Sequence, residues 1–247
     1  MTDDTAIIVK NISKGFNLPT SRKVTLQSYF THPFERQEFR EFVALKNVSF
    51  EVKTGEFFSV IGKNGTGKST LLKILAGIYV PDKGKILVRG KMVPFLELGV
   101  GFHPELTARE NIFLNGTLLG LRHNEIEKQI DGILEFAELQ DFKEVPIKNF
   151  SSGMQVRLAF SVAIRVKSDI LLLDEVLAVG DGSFQKKCFE YFDSIRGKKT
   201  IVFVSHDMAS VRKYSDNVMY LKEDNKYEVG KPEEIVALYC NKTEKPS

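Results

Sequence analysis

FFSVIGKNGTGKSTLLKILAG, residues 57–77, decides how the rest of the chain is read. Its first five residues are apolar enough for a short buried strand, and its last ten have the pattern of a helix, with Gly77 as the stop and Pro81 beyond. Between them GKNGTGKST, residues 62–70, matches GxxxxGK[ST] in full, in the strand-to-helix context that the pattern requires. Glycines 62, 65 and 67 let the backbone curl, so that its N–H groups, together with those of Lys63, Asn64, Thr66 and Thr70, line a nest for phosphate oxygens at a helix start. Lys68 brings a mobile positive charge to the outer phosphates, and the hydroxyl of Ser69 suits Mg²⁺, a hard cation that seeks oxygen. A glycine turn that merely caps a helix is the bland alternative. The complete match in this context sets it aside.

The acidic counterpart is ILLLDE, residues 170–175, a fully apolar strand that delivers Asp174 and Glu175 to its end. Ligands of open α/β sheets bind beyond the carboxyl ends of the strands, so this pair is expected to face the phosphate loop. Asp174 is placed for the Mg²⁺ shell, and Glu175 to orient or deprotonate a water for in-line attack on the terminal phosphate. A third strand end, FVSH, places His206 nearby, where its side chain is expected to contact the γ-phosphate or hold the attacking water; a structural strand-end histidine is the other reading.

Composition narrows the class. The 247 residues are 43% hydrophobic and 27% charged, enough for one large domain with a substantial core. A net charge of +3 is too near balance to indicate nucleic acid or an anionic membrane. Cys188 and Cys240 lie far apart without CxxC or Cys/His clustering, so they read as reduced thiols of a cytoplasmic protein and not as a metal site. The acidic start lacks a signal-peptide pattern, and no apolar run approaches the ~18 residues of a membrane span, so a membrane role is expected to come through a partner.

Strand-like and helix-like patterns alternate along the chain. Residues 6–13 and 42–52 read as strands, 106–142 as mostly helical, and the rest from 151 as helix, strand, helix, strand, short helix, two strands and a final helix entered through Pro232. The stretch SSGMQVRLAF, residues 151–160, opens an amphipathic helix whose first N–H groups are a second candidate anion site.

The order GKNGTGKST, SSGMQ, ILLLDE, a Gly180–Asp181 turn and a strand-end SH resembles the ATP-binding subunits of ABC transporters, from about residue 7 to 230. The resemblance implies an α/β fold of the P-loop NTPase type: a mixed sheet core, an antiparallel β subdomain and an inserted α-helical subdomain near 106–165, with 231–247 as C-terminal helix and tail of a single 1–247 nucleotide-binding domain. It implies ATP and Mg²⁺ as cofactors. In that family SSGMQ is the signature, which acts on nucleotide held by another copy, so Ser151, Ser152, Gly153, Met154, Gln155 and Asp181 are expected to work in trans in a head-to-tail homodimer. Ser151 replaces the usual leucine, and Met154 the second glycine, a loss expected to cost backbone permissiveness.

SSGM with its Arg–Leu–Ala–Phe helix, FLELGVGFHPELTARENIFLNG (95–116) and DEVLAVGDGSFQKKC (174–188) are similar to the branch that exports O-antigen, capsule and teichoic-acid polymers. That implies two copies of a membrane-spanning permease as partners, a lipid-linked polysaccharide as cargo, no nucleic acid, and a peripheral place at the cytoplasmic face of the plasma membrane. A drug or small-lipid exporter subunit, and a non-transport ABC ATPase acting on ribosomes or DNA, are the alternatives. Where the family has a glutamine before the helical subdomain this chain reads Leu96, Glu97, Leu98, Gly99: either Glu97 contacts the metal or water, or the link runs through neighbouring backbone. Residues 94–103 are a candidate permease contact or a plain surface loop.

Phe16 fits the family's position for an aromatic that stacks on adenine from a loop after the first strand; a packed core phenylalanine is the other reading. The basic and aromatic segment 17–41 resembles the extended N-terminal loop of the polysaccharide branch, and either meets permease or lipid headgroups or folds back on its own domain. Some O-antigen members carry a C-terminal carbohydrate-binding domain. No such region follows here, so glycan recognition is expected to reside in the permease, an upstream enzyme or a separate protein.

Overall fold

A computed structural model of the chain describes residues 4–19, 39–95, 101–174 and 182–243. Glu97, Glu175, Asp181 and positions 20–38 of the basic–aromatic segment lie outside the described residues.

Among the described residues the strands form two sheets, and helices pack on both faces of the larger one. β1 (Thr5–Pro19), β2 (Phe39–Lys53) and β4 (Lys83–Val88) form an antiparallel sheet in the order β2-β1-β4. β3 (Phe57–Ile61), β5 (Met92–Phe95), β6 (Ile170–Asp174), β7 (Thr200–Val204), β8 (Asn217–Leu221) and β9 (Tyr227–Gly230) form a mixed sheet in the order β5-β6-β7-β3-β8-β9. All pairs in the mixed sheet are parallel except β8 with β9. β3 and β7 are buried at every residue, and β6 at all but its last. Strands covered on both faces read as near-continuous apolar runs, as FFSVI, ILLLD and TIVFV do.

Alternate side chains of this sheet enter two separate cores. Phe57, Leu171, Leu173, Ile201 and Phe203 join a cluster with most of the helices, while Phe58, Val60, Ile170, Leu172, Val202 and Val204 join a cluster with α1 (Lys68–Leu75) and the small sheet. The helices of the first cluster are α2 (Ala108–Leu118), α3 (His123–Glu127), α4 (Ile130–Ala137), α5 (Ser152–Ala163), α6 (Gly182–Ile195), α7 (Met208–Tyr214) and α8 (Pro232–Thr243). Two short 3₁₀ turns, Gln140–Phe142 and Ile147–Asn149, lead from α4 to α5.

Several boundaries differ from expectation. β1 runs on to Pro19 and β2 starts at Phe39, because residues 15–19 pair in register with 39–43. Phe16, expected in a loop after the first strand, therefore lies within the strand, and the described ends of segment 17–41 are strand. α1 stops at Leu75, two residues before Gly77 takes its turn conformation at φ 73°. β4 and β5 went unrecognised in the sequence: β4 has no buried residue and β5 is four residues with Pro94 inside. Proline is tolerated there because β5 is an edge strand.

Candidate active site

Three strand ends converge on one edge of the mixed sheet. Val60 pairs with Val204, and Val204 with Asp174, so β3, β7 and β6 finish level. The phosphate loop follows β3, Ser205 and His206 follow β7, and Asp174 closes β6. With strands ~4.8 Å apart, Asp174 stands two strand spacings, roughly 10 Å, from the start of the loop, with the exposed His206 two residues beyond the end of the strand between.

The loop is shaped by its neighbours. A Cβ at Gly62 would lie 2.5 Å from the carbonyl oxygen of Leu221, and one at Gly67, where φ is 98°, would lie 2.4 Å from that of Ala44. Only glycine fits either place. Lys68 is buried, and its Nζ donates to the carbonyl oxygens of Gly62 (2.7 Å) and Lys63 (3.0 Å), which holds the ammonium inside the curl. Thr66 is buried and its hydroxyl donates to Lys63 O (3.0 Å). Lys63, Asn64, Gly65 and Ser69 are exposed, and Thr70 is half-buried. No side chain caps α1 and no acid occupies its first turn, so its N-terminal dipole and N–H groups favour an external anion. The hydroxyl of Ser69 and the carboxylate of Asp174 are a hard oxygen donor set that fits a divalent cation accompanying a triphosphate.

Phe16 is half-buried and belongs to neither core cluster, which disfavours the packed-core reading. Its ring meets Tyr79 edge-on, with centroids 5.6 Å apart, and Lys14 Nζ stands 5.6 Å from its centroid. Asp82 fixes the strand beside it, accepting from Lys14 Nζ and from the Gly15 N–H, both at 2.7 Å. The Lys14 hydrogen bond, with help from that N–H, holds the Asp82 carboxyl below its ordinary range.

The signature opens a different helix. Ser151 is the N-cap of α5, accepting from the Met154 N–H at 3.2 Å, and Ser151 and Ser152 are exposed. Gln155 donates through Nε2 to Phe150 O at 3.4 Å. Met154 is an ordinary helical residue whose side chain packs on the larger core, so the expected cost of losing a glycine does not arise at this backbone. Leu158, Phe160 and Val162 of α5 fill that core, whereas Leu71, Leu72, Ile74 and Leu75 of α1 fill the other. The phosphate-loop helix and the signature helix thus pack on opposite faces of the mixed sheet.

Some organising residues were missed in the sequence. Asn111, fully buried, accepts from the His103 N–H and donates to His103, Leu106 and Thr107 carbonyls, setting the loop before α2. The T-x-x-E of Thr107 and Glu110, a capping box, was the legible signal for where that helix starts. Asp82 and Tyr79 had no comparable signal, since their roles depend on contacts far away in sequence.

Comparison with known proteins agrees with this geometry. Residues 45–178 match the family model described as ABC transporter. The O-antigen export system ATP-binding protein RfbB of Klebsiella pneumoniae is 44% identical over 233 residues, covering 93% of this chain and 95% of that protein. The teichoic acids export ATP-binding protein TagH of Listeria monocytogenes is 35% identical, covering 93% of this chain and 68% of its own. A solved dimeric ATP-binding cassette in a post-hydrolysis state, bound to ADP and phosphate, superposes with a TM-score of 0.72 at 25% identity, over 92% of this chain and 98% of that one. A phosphate loop, a strand-end aspartate and a displaced signature helix on this fold, together with near full-length relatives, establish that the chain belongs to the ABC transporter family.

Proposed function

We propose that this protein is the ATP-hydrolysing subunit of an exporter that moves a lipid-linked polysaccharide across the cytoplasmic membrane. The observation that supports the two-copy mechanism is that the phosphate-loop helix and the signature helix pack on opposite faces of the mixed sheet. A second copy packed head to tail brings Ser151–Gln155 and Asp181 onto ATP held by the first copy's residues 62–70, with Phe16 stacked on the base. Ser69 and Asp174 would hold Mg²⁺, which when bound neutralises phosphate charge; Glu97 is a further candidate ligand. Glu175 takes a proton from the water that attacks the γ-phosphorus as the bond to the β–γ bridging oxygen breaks, and His206 orients that water or the γ-phosphate. Loss of the γ-phosphate removes the trans contacts and the dimer reopens.

Among the described residues no helix is long and apolar enough to cross a membrane. A pair of permease subunits, holding the dimer at the cytoplasmic face, completes the exporter in this reading. Residues 106–165 act as its helical subdomain within one nucleotide-binding domain, 231–247 being its C-terminal helix and tail. The polymer cargo follows from what the relatives are named for, O-antigen and teichoic acid export.

Glu175→Gln is expected to retain ATP-dependent dimerisation while hydrolysis falls by about 10²–10⁴-fold, the usual contribution of a general base. Turnover assays and analytical ultracentrifugation check both, and full turnover would remove Glu175 from its role. Deleting the gene is expected to leave lipid-linked polymer inside the cell; normal surface polysaccharide would refute the cargo.

A further inference from the structure

β1 and β2 do not pair one for one beside the phosphate loop. Lys14 pairs with Leu45 and Gly15 with Val43, so β2 carries an extra residue, Ala44, against the step from Lys14 to Gly15. A bulge of this kind re-aims the side chains that follow it. Beyond it the register is regular, with Phe16 opposite Phe42 and so on to Pro19 opposite Phe39. The setting of this bulge therefore fixes how Phe16 is presented.

The bulge is held from both sides. On the β2 side the phosphate loop packs against it, since a Cβ at Gly67 would lie 2.4 Å from Ala44 O. On the β1 side Asp82 grips both residues of the step: Oδ1 accepts from Lys14 Nζ and Oδ2 from the Gly15 N–H, each at 2.7 Å, while the Asp82 N–H donates to Ser13 O at 2.9 Å. The Asp82 side chain is 49% exposed, so its ion pair with Lys14 is worth little by itself, and the bond to the Gly15 N–H is the one that acts on the backbone. Asp82 reaches this place because the chain leaving α1 is tied down as well. The Ile78 and Tyr79 N–H groups donate to Lys73 O at 2.8 and 3.1 Å, and the Tyr79 ring, packed on the smaller core, meets Phe16 edge-on. One short segment, residues 76–82, thus runs from the helix that opens at the phosphate loop to the carboxylate that holds the strand of Phe16.

We infer that Asp82 is a positioning residue for the nucleoside end of the nucleotide: its carboxylate keeps the step from Lys14 to Gly15 in register and so sets Phe16 against the base, while residues 62–70 hold the phosphates without it. This rests on the stacking of Phe16 on the base proposed above. Asp82 touches no nucleotide in this scheme and acts through the Gly15 backbone.

The test compares MgATP with inorganic tripolyphosphate and Mg²⁺, which offers the phosphates without the base, on the full chain by isothermal titration calorimetry. In Phe16→Ala the ATP dissociation constant is expected to rise about tenfold, the scale of one lost base–aromatic stack, with that of tripolyphosphate held within about twofold. Asp82→Ala is expected to follow the same pattern at about fivefold. Asp82→Asn, which keeps an acceptor for the Gly15 N–H, is expected to stay within about twofold of the parent for both ligands. An ATP constant unmoved in Asp82→Ala, a tripolyphosphate constant that rises in step with it, or an Asp82→Asn variant as weak as Asp82→Ala overturns the inference and leaves the stacking reading intact. An ATP constant unmoved in Phe16→Ala overturns the stacking reading, and this inference with it.

Discussion

The phosphate loop and the signature both present glycine beside a helix start, yet the two glycines answer to different constraints. At Gly67 the chain's own fold forbids anything larger: φ is 98°, and a Cβ would lie 2.4 Å from Ala44 O and 2.8 Å from Leu45 Cδ2. At Gly153 the backbone is ordinary helix and a Cβ would meet nothing nearer than Ser151 Oγ at 3.9 Å. One site is finished by intramolecular packing. The other has open room at its own surface.

That contrast breaks most readily at Gly67. Gly67→Ala is expected to cost about 2–4 kcal/mol, since the neighbours are backbone and a buried leucine that cannot withdraw. ATP binding should vanish with it, as seen by thermal melts with and without nucleotide. A folded, nucleotide-binding variant would mean that the loop is not shaped by its packing.

Gly153→Ala should do the opposite. Alanine is the better helix former, so the melting midpoint should hold or rise slightly. ATP affinity of the monomer should be unchanged, while turnover drops by about 10²-fold through displacement of the trans contact. Normal turnover would place the partner copy elsewhere.

The same contrast explains what the sequence disclosed. The phosphate loop, ILLLD and the strand-end His206 were legible because local constraints set them: a loop that needs glycine, and strands buried on both faces. β4 and β5 were not, because an exposed strand and a four-residue edge strand carry no periodic apolar signal. Phe16 was expected in a loop, and its place within β1 was not legible, since the extension to Pro19 depends on pairing with residues 39–43. The left-handed turn at Glu138 had no signal at all. Nothing in the chain around it announces a left-handed turn without glycine or asparagine, and the partners of its carboxylate, Arg157 and Lys187, lie 19 and 49 residues away.

Met154 gives the smallest effect and sharpens the boundary between the two regions. Its N–H serves the Ser151 cap, and its side chain packs on the core, so it belongs to the inward face of the signature although its neighbour Gly153 belongs to the outward one. Met154→Gly restores the second glycine that is usual at this position of the signature. If the partner copy needed space at this position too, turnover and dimerisation would improve several-fold. The geometry predicts instead a loss of about 1–2 kcal/mol in stability, from helix propensity and a partly buried side chain, with turnover within about twofold of the parent. Melting and steady-state ATPase on one preparation decide between them, because the two outcomes move opposite observables: a methionine that serves the fold changes the melt, and a methionine that stands in the partner's way changes the rate.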